Sequence, residues 1–256
     1  MIDPRAIVSP DAELASDVEV GPYSIIGPGV VIGAGTWIGP HAVINGPTTL
    51  GRDCKVFQFA SVGDAPQDKK YRGEPTRLEV SDRNIFREFC TINRGTVGGH
   101  GVTRIGDDNL FMAYSHVAHD CVVGNKCVMS NYSVLAGHVE LGDWVILSGY
   151  AGVHQFCKVG AHAFLANNAA VTRDVPPYLL VAGSPAEPKG INSEGLKRRG
   201  FSAEQITHLK NAYRVLYRSG LKLAEATGQL AGLAKDQPEV APLVAFLGTV
   251  TRSIVR

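Results

Sequence analysis

Aliphatic residues recur at every sixth position through most of the chain. The first series is Val8, Leu14, Val20, Ile26, Ile32, Ile38, Ile44, Leu50, Val56 and Val62, and the second is Ile105, Phe111, Val117, Val123, Met129, Leu135, Leu141, Leu147, Val153, Val159, Leu165 and Val171. A short fixed period indicates one small unit that is stacked many times and buries its apolar edge against the next. This period fits neither an α-helix nor an alternating strand. It predicts a triangular coil in which three short strands make one turn of 18 residues.

The places within each six-residue unit, or hexad, have different characters. The first is aliphatic, the second is often Gly, and the fifth is small, as in Ser24, Thr36 and Ala42. Gly at the second place predicts a sharp corner there, where another residue would be strained. All five cysteines fall on fifth places, namely Cys54, Cys90, Cys121, Cys127 and Cys157. We interpret them as small buried spacers rather than metal ligands or reactive thiols.

The period is interrupted twice and then ends. Residues 63–79 and 95–104 are rich in turn residues and predict loops that project from the prism, where function is often carried. Beyond Val171 the hexads stop, and Ser202 with Gln205 forms a capping box for a helix that Gly220 would end. Further helices are predicted over 193–199, 222–234 and 238–252. The expected fold is mainly β, with the coil over residues 1–176 and a helical C-terminal domain over 177–256.

Charge is divided unevenly along the chain. The formal net charge is +1, but residues 177–256 hold 11 Lys and Arg against 6 Asp and Glu, which leaves −4 for residues 1–176. The small total predicts no nucleic-acid partner. No signal peptide or apolar run long enough to span a bilayer is present, and an odd number of cysteines without a CxxC pair favours a reducing compartment. We expect a cytoplasmic location.

Residues 18 apart should lie one above the other, about 4.8 Å apart. This places His119, Gly137 and Gln155 in one column, and Asp120, His138 and Phe156 in the next. His116 and His154 lie beside these columns, so four of the eight histidines converge. A histidine can act as a general base, and a glycine one rung away can offer an unobstructed N–H to an oxyanion. We interpret the remaining histidines as ordinary surface residues, namely His41, His100, His162 and His208. A metal site is the second interpretation of the cluster.

Several motifs make the resemblance to a known family specific. They are Gln67–Tyr71 (QDKKY), Gly73–Arg77 (GEPTR), Ser115–Cys121 (SHVAHDC), Leu135–Val139 (LAGHV), Val153–Cys157 (VHQFC) and Asn192–Phe201 (NSEGLKRRGF). Over essentially its whole length the chain resembles the bacterial UDP-N-acetylglucosamine O-acyltransferases, which perform the first committed step of lipid A synthesis. The resemblance implies a left-handed parallel β-helix, a homotrimer with active sites between subunits, and no metal or nucleotide cofactor. The donor would be a 3-hydroxyacyl chain on acyl carrier protein, and the acceptor the glucosamine 3-hydroxyl of UDP-N-acetylglucosamine.

The resemblance also assigns roles to individual residues. His119 would be the general base, the Gly137 amide would stabilise the oxyanion, and Asp120 would orient His119. Column geometry alone does not support the last contact, because adjacent residues on a strand point apart. The resemblance also implies eleven substrate-binding residues, one of which is Gln67. Asp68, His138 and Gln155 would hold the sugar, and Lys70 and His116 would lie near acyl or phosphate groups. The nucleotide would be bound by His154, Asn192, Glu194, Arg198 and Arg199. Basic residues of the helical domain would receive the acidic carrier protein, the candidates being Lys197, Arg198, Arg199, Lys210, Arg214 and Arg218.

The sequence departs from the family pattern at two positions. Asn93 replaces the histidine of a common T-I-H-R-G motif, with no consequence evident from the sequence. Asn167 occupies a position where residue size helps to set acyl-chain length, so Asn167, together with Phe164, is expected to shorten the preferred chain. An N-acyltransferase acting on a related amino sugar is the nearest rival function, and a non-catalytic β-helix scaffold is a second.

Overall fold

The computed structural model describes residues 1–251 and 253–256, and short strands dominate it. In chain order they are β1 (Ile7–Val8), β2 (Glu13–Leu14), β3 (Glu19–Val20), β4 (Ile25–Ile26), β5 (Val30–Ile32), β6 (Trp37–Ile38), β7 (Val43–Ile44), β8 (Thr48–Leu50), β9 (Lys55–Val56), β10 (Ser61–Asp64), β11 (Arg77–Val80), β12 (Ile85–Phe86), β13 (Thr91–Asn93), β14 (Val102–Ile105), β15 (Leu110–Phe111), β16 (His116–Val117), β17 (Val122–Val123), β18 (Val128–Met129), β19 (Val134–Leu135), β20 (Glu140–Leu141), β21 (Ile146–Leu147), β22 (Gly152–Val153), β23 (Lys158–Val159), β24 (Phe164–Leu165), β25 (Ala170–Val171), β26 (Leu179–Ala182) and β27 (Glu187–Ile191).

Every third strand joins the same sheet, so the strands form the three walls of a prism. Sheet one runs from β1 through β4 to β25, sheet two from β2 through β5 to β23, and sheet three from β3 through β6 to β24, followed by β26 and β27. Pairing is parallel except between β26 and β27. The first-place residues Val117, Leu135 and Val153 pair in register, which confirms the predicted 18-residue turn. The chain is a left-handed parallel β-helix, as expected.

The prism core is built from the predicted large and small inward positions. First-place residues such as Ile38, Phe86 and Leu147 are fully buried. All five cysteines are buried and unpaired, and burial raises the pKa of the Cys54 thiol to about 11. Their predicted burial is confirmed.

The prediction that the second-place glycine forms the corner is wrong. The backbone turns at the fourth place, where non-glycine residues such as Tyr23, Asp120 and Trp144 have φ near +60°. The second-place glycines instead permit close stacking of successive coils, because a Cβ on Gly33 would lie 2.7 Å from the carbonyl carbon of Gly51. The constraint at this place is contact between turns rather than backbone strain.

The helices follow the β-helix at its C-terminal end. They are α1 (Ser193–Arg198), α2 (Ala203–Arg218), α3 (Leu223–Leu233) and α4 (Ala241–Thr249), with a 3₁₀ turn at Pro238–Val240. Both bonds of the Ser202–Gln205 capping box are present, and Gly220 has a φ of +74°. The predicted end of the last helix at Arg252 lies outside the described residues. In the described part of the chain, no helix is long and apolar enough to cross a membrane.

Two strands lie beyond the predicted domain boundary. β26 and β27 extend sheet three past residue 176, and Tyr213 and Tyr217 of α2 pack against the β-helix core. The division at 176/177 stays a prediction.

Candidate active site

The prism has three edges with different side chains at the fourth place. The histidine edge, between sheets one and two, carries Asp120, His138 and Phe156. The tryptophan edge, between sheets two and three, carries Trp144, His162 and Tyr178. The aromatic edge, between sheets three and one, is defined by Tyr23, His41, Phe59, Phe89, Tyr114, Tyr132 and Tyr150. Both predicted loops follow strands of sheet one, β10 and β13, and therefore leave the prism at the histidine edge.

A His–Asp pair lies at the centre of the histidine edge. His119 Nδ1 is 2.8 Å from Asp120 Oδ2, and the Asp120 side chain is fully buried while that of His119 is partly exposed. Adjacent side chains can meet here because Asp120 occupies the corner, with a φ of +59°, rather than a pleated strand. A carboxylate bound at Nδ1 favours the tautomer that leaves Nε2 free to accept a proton.

The loop over 95–104 holds the Asp120 carboxylate in place. Thr96 donates to it from its N–H at 3.0 Å and from its hydroxyl at 2.6 Å, and the His100 N–H donates at 2.9 Å. The Asp120 N–H in turn donates to Thr103 Oγ1. Burial by itself would raise the pKa of Asp120, but the hydrogen bonds from His119 and Thr96 lower it to about 2. Asp120 is therefore a buried anion held by the loop and hydrogen-bonded to His119.

Gly137 lies one rung from His119, as the column geometry predicted. A Cβ at this position would be 2.6 Å from His119 Cε1 and 2.8 Å from Nε2, so a side chain here would displace the imidazole. No described residue accepts a hydrogen bond from the Gly137 N–H. The fold explains this free donor, because third places in regular coils do not donate to backbone carbonyls, and Pro22, Pro28 and Pro40 occupy such places elsewhere.

His138 and His116 flank the pair. The His138 ring is perpendicular to that of His119 with the centroids 5.2 Å apart, and its Nε2 is 3.9 Å from Asp120 Oδ2. His116 Nδ1 is hydrogen-bonded to Thr91 Oγ1 at 2.7 Å. Burial lowers the pKa of both His138 and His116. Both rings are therefore biased towards the neutral form, which can donate and accept hydrogen bonds.

The loop over 63–79 is anchored beside this cluster, and the anchor explains Asn93. The buried Asn93 donates from Nδ2 to the Ala65 carbonyl at 2.9 Å. Arg94 donates from Nη1 to the Gly63 carbonyl at 2.7 Å and from Nη2 to Tyr71 Oη at 3.2 Å. The departure at Asn93 thus supports the loop that carries the next group of predicted residues.

That loop brings one predicted residue within electrostatic range of the cluster. The Asp68 carboxylate acts to raise the pKa of His138 against the larger effect of burial, and it accepts a hydrogen bond from the Lys70 N–H. Gln67 and Lys70 are exposed beside it. Higher in the column, Gln155 and His154 are also exposed, and His154 Nδ1 contacts the Gln155 carbonyl at 3.1 Å.

The remaining predicted residues lie away from His119 within the same chain. Asn192 donates to the His162 carbonyl at 3.0 Å and caps α1, and Arg199 Nη1 donates to His162 Nδ1 at 3.1 Å. These residues therefore lie at the tryptophan edge. One side of the prism, roughly 20 Å long for six extended residues, separates this edge from the histidine edge. Glu194 and Arg198 form an exposed ion pair on α1.

The two acyl-length candidates lie at a third position on the prism. Phe164 is half-buried in β24 of sheet three, and Asn167 is exposed at the third place of the aromatic edge. The structure thus distributes the predicted site over all three edges of one chain.

Three histidines interpreted as ordinary surface residues have specific partners. The His100 N–H binds Asp120, and the His162 ring stacks between Trp144 and Tyr178. Burial, followed by the charge of Arg199, lowers the pKa of His162 to about 4. His208 Nδ1 is 2.5 Å from the buried carboxylate of Glu239. Thr96 and Thr103 were also missed, and the loss of phase at 95–104 is the one sequence signal that pointed to this segment.

The same cluster also contains three potential metal ligands. His119, Asp120 and His138 place one ligand atom each within 4.8 Å of the others. Asp120 Oδ2, however, already contacts Thr96 Oγ1 and His119 Nδ1, which leaves it little capacity for a cation. The donor set suits an oriented base better than a metal, and metal binding remains the second interpretation.

The class of protein follows from the repeats and the site. Residues 29–63 and 102–137 match the family model of the bacterial transferase hexapeptide (six repeats). Acyl transfer uses a general base and a donor that stabilises an oxyanion. A partly exposed imidazole hydrogen-bonded to a carboxylate can serve as the base, and an unpaired backbone amide can serve as the donor. Fold and site together define a hexapeptide-repeat acyltransferase.

More specific matches cover the whole chain. Residues 174–255 match the family model described as UDP N-acetylglucosamine O-acyltransferase, domain 2. The chain is 57% identical over 255 residues to the acyl-[acyl-carrier-protein]--UDP-N-acetylglucosamine O-acyltransferase of Thiobacillus denitrificans, covering 100% of this chain and 99% of that one. The chain belongs to the UDP-N-acetylglucosamine O-acyltransferase family.

Solved structures agree with this assignment. The UDP-N-acetylglucosamine acyltransferase of Francisella novicida matches with a TM-score of 0.98 at 43% identity, covering 100% of this chain and 94% of that one. The Arabidopsis enzyme of the same name matches with a TM-score of 0.86 at 33% identity, covering 100% and 99%. The resemblance stated from the sequence motifs is confirmed.

Proposed function

We propose that this protein transfers a 3-hydroxyacyl chain from acyl carrier protein to the glucosamine 3-hydroxyl of UDP-N-acetylglucosamine, the first committed step of lipid A synthesis. Its relatives are named for this donor and acceptor class, and the observation that carries the chemistry is the geometry of His119. The imidazole is hydrogen-bonded to a buried carboxylate on one side and lies against Gly137 on the other, and no described residue accepts a hydrogen bond from the Gly137 N–H.

The reaction balances as a direct transfer. His119 Nε2 takes the proton of the 3-hydroxyl while the hydroxyl oxygen attacks the thioester carbonyl carbon. The carbonyl oxygen becomes an oxyanion, which the Gly137 N–H stabilises by donating a hydrogen bond. Collapse of the tetrahedral intermediate breaks the carbon–sulfur bond, and the departing thiolate takes the proton from the His119 imidazolium. Asp120 stabilises that imidazolium and is not itself protonated.

The substrate-binding assignments follow from position. Asp68, His138 and Gln155 would hold the sugar at the histidine edge, with Gln67, Lys70 and His116 beside it. His154, Asn192, Glu194, Arg198 and Arg199 would bind the nucleotide, although Asn192 and Arg199 lie at the tryptophan edge. Because one chain holds these two groups apart, we infer that the complete site forms between subunits of a homotrimer.

The helical domain would receive the acidic carrier protein. A groove of about 530 Å³ between α1 and α2 is lined by Lys197 and Lys210 together with Glu194, Phe201 and Ile206. The excess of positive charge at this groove suits an acidic partner. Arg198, Arg214 and Arg218 are exposed on the same two helices.

A transfer assay tests the proposal. Purified protein is supplied with UDP-N-acetylglucosamine or its 3-amino analogue and a series of 3-hydroxyacyl carrier-protein donors. We expect transfer to the 3-hydroxyl, and a rate in His119→Ala about 10³-fold lower with unchanged folding. His41→Ala, a histidine on the aromatic edge, is the matched control and should retain the wild-type rate.

Other outcomes separate the rivals. Preference for the 3-amino acceptor would favour the N-acyltransferase, and full activity in His119→Ala would exclude His119 as the base. No transfer from any donor would favour a scaffold.

Acyl-chain length is the finer part of the proposal. Asn167 stands exposed one rung beyond Gly149, where its amide would close a groove along the prism. We expect a short donor chain to be preferred, with Asn167→Gly shifting the preference to longer chains in a competition assay. Preference for the longest chain, unchanged in Asn167→Gly, would contradict this role.

A further inference from the structure

His162 contacts two of the residues that are predicted to bind the nucleotide. Its ring accepts a hydrogen bond at Nδ1 from Arg199 Nη1 at 3.1 Å, and its backbone carbonyl accepts one from Asn192 Nδ2 at 3.0 Å. Asn192 is the N-cap of α1 and Arg199 is its C-cap, whereas His162 belongs to the β-helix. One residue of the prism therefore holds the side chains at both ends of the short helix α1.

Three aromatic rings surround the His162 side chain. It stacks between Trp144 and Tyr178, with ring centroids 6.3 Å and 5.6 Å away, and Phe201 approaches edge-on at 5.3 Å. The His162 N–H also donates to the Asp143 carbonyl at 2.8 Å. Ring and backbone are both held in this way, so the acceptor Nδ1 has a definite position on the tryptophan edge.

Arg199 is a cation that only neutral groups hold. Its guanidinium lies over the Trp144 ring, with Cζ 5.0 Å from the centroid. Apart from the bond to His162, its side chain forms no hydrogen bond or ion pair with any residue that the structure describes. Burial lowers the pKa of Arg199, whereas its neighbour Arg198 is exposed and paired with Glu194. A guanidinium has five N–H donors, so most of those on Arg199 stay available to an anion.

The His162 ring is suited to orient this cation without neutralising it. Burial and then the charge of Arg199 lower the pKa of His162 to about 4, so the imidazole is neutral and its Nδ1 accepts from the guanidinium. A carboxylate in the same place would pair with Arg199 and compete with an anionic ligand. The imidazole leaves the positive charge of Arg199 to the ligand.

We propose that His162 is a positioning residue for the acceptor, which directs the free N–H donors of Arg199 towards the diphosphate of UDP-N-acetylglucosamine and does not itself touch the substrate. The diphosphate is the anionic part of this nucleotide and is therefore the group that an unpaired guanidinium would bind. The inference rests on the proposed function, since it assumes that Arg199 binds this acceptor.

The test separates the acceptor atom of His162 from its ring. His162→Phe removes the acceptor and keeps a ring that the fourth place tolerates, since Phe59 and Phe156 stand there with positive φ. His162→Asn keeps an acceptor close to the position of Nδ1 and suits the φ of +63°. His41→Phe is the matched control, because His41 stacks between Tyr23 and Phe59 and accepts no hydrogen bond from a described arginine.

We expect His162→Phe to raise the KM for UDP-N-acetylglucosamine about tenfold, with kcat and the KM for the acyl donor unchanged. His162→Asn should recover most of this loss, and His41→Phe should behave as wild type. In an Arg199→Ala background His162→Phe should add nothing, because His162 acts through Arg199. A purely structural role would instead lower the melting temperature and affect both substrates alike. His162→Gly, which also lacks the acceptor and tolerates a positive φ, replaces His162→Phe if that variant does not fold.

Several results would overturn the inference: an unchanged KM for UDP-N-acetylglucosamine in His162→Phe or in Arg199→Ala, effects that multiply in the double variant, or a raised KM for the donor. Absence of transfer by the wild type would instead overturn the proposed function. Calorimetry with UDP then decides the role of His162. Binding weakened equally by His162→Phe, Arg199→Ala and the double variant supports it, and binding that is absent in wild type or unchanged in His162→Phe contradicts it.

Discussion

The histidine edge and the aromatic edge have the same backbone and opposite contents. Both turn at fourth-place residues with φ near +60°. On the aromatic edge these residues form a ladder from Tyr23 to Tyr150, with successive ring centroids 4.8–5.4 Å apart. On the histidine edge the buried carboxylate of Asp120 occupies the equivalent position, and the ring stack is reduced to His138 and Phe156, 4.4 Å apart.

The difference shows where a uniform solenoid acquires chemistry. The aromatic edge is regular and exposed, since Phe59 and Tyr132 keep 50% and 43% of their accessible surface. The histidine edge is the one from which both loops emerge, and Thr96 and His100 of the second loop close over Asp120. A corner that would otherwise stack rings thereby holds a buried anion, which orients the histidine beside it.

The largest difference in kcat is expected when a third-place glycine is replaced by alanine on one edge and then on the other. Gly137 and Gly149 are both third-place glycines, but a Cβ on Gly137 would meet His119 at 2.6 Å whereas on Gly149 its nearest contact is the Asn131 carbonyl at 3.6 Å. Gly137→Ala should lower kcat about 10²- to 10³-fold by displacing the imidazole from the oxyanion donor. Gly149→Ala leaves the imidazole in place, so with a short-chain donor its kcat should fall far less in steady-state kinetics. Similar rates in the two variants would show that the edges do not differ in this way.

Removing the charge of Asp120 should have a smaller effect. The side chain of Asp120→Asn has one accepting oxygen in place of two, so it no longer fixes the tautomer of His119. We expect kcat to fall about 10- to 100-fold. Tyr132→Phe, at the fourth place of the aromatic edge, is the control and should retain activity. A wild-type kcat in Asp120→Asn would contradict an orienting role.

Asp120 also predicts a pH dependence of stability. Its pKa is lowered to about 2 from an ordinary 3.8, so the ionised carboxylate stabilises the folded state above pH 3.8 and this contribution is lost as the pH falls towards 2. The difference in free energy of unfolding between wild type and Asp120→Asn should therefore shrink over that range in denaturant titrations. A difference that stays constant down to pH 2 would be evidence against the hydrogen-bonded anion.

The smallest effect is expected on the aromatic edge. Tyr132→Ala removes two ring contacts, to Tyr114 and Tyr150, and should lower the free energy of unfolding by about 1–3 kcal/mol. Because these rings are remote from His119 along the prism perimeter, kcat should be unchanged. A loss of activity as large as that of Asp120→Asn would mean that the ladder contributes to the site.

Much of the fold was predictable because it is local. An aliphatic first place every six residues requires successive coils to stack, and the pairing of Val117 with Leu135 and Val153 follows. The role of the second-place glycine was misassigned, since close contact between Gly33 and Gly51 involves residues a full turn apart. A pattern read along the chain does not distinguish that contact from strain at a corner.

The sequence by itself determined the rungs of this protein, including the stacking of Gly137 beside His119, because a constant hexad converts residue number into height along the prism. Only the tertiary structure decided what surrounds those rungs. The contact of His119 with Asp120 depends on the corner φ, and the hydrogen bonds from Thr96 and His100 depend on how an irregular loop folds back. The corner φ recurs with the hexad but is not visible as a hydrophobic pattern, and the loop contacts do not follow the repeat, because a period describes only residues that share one backbone conformation.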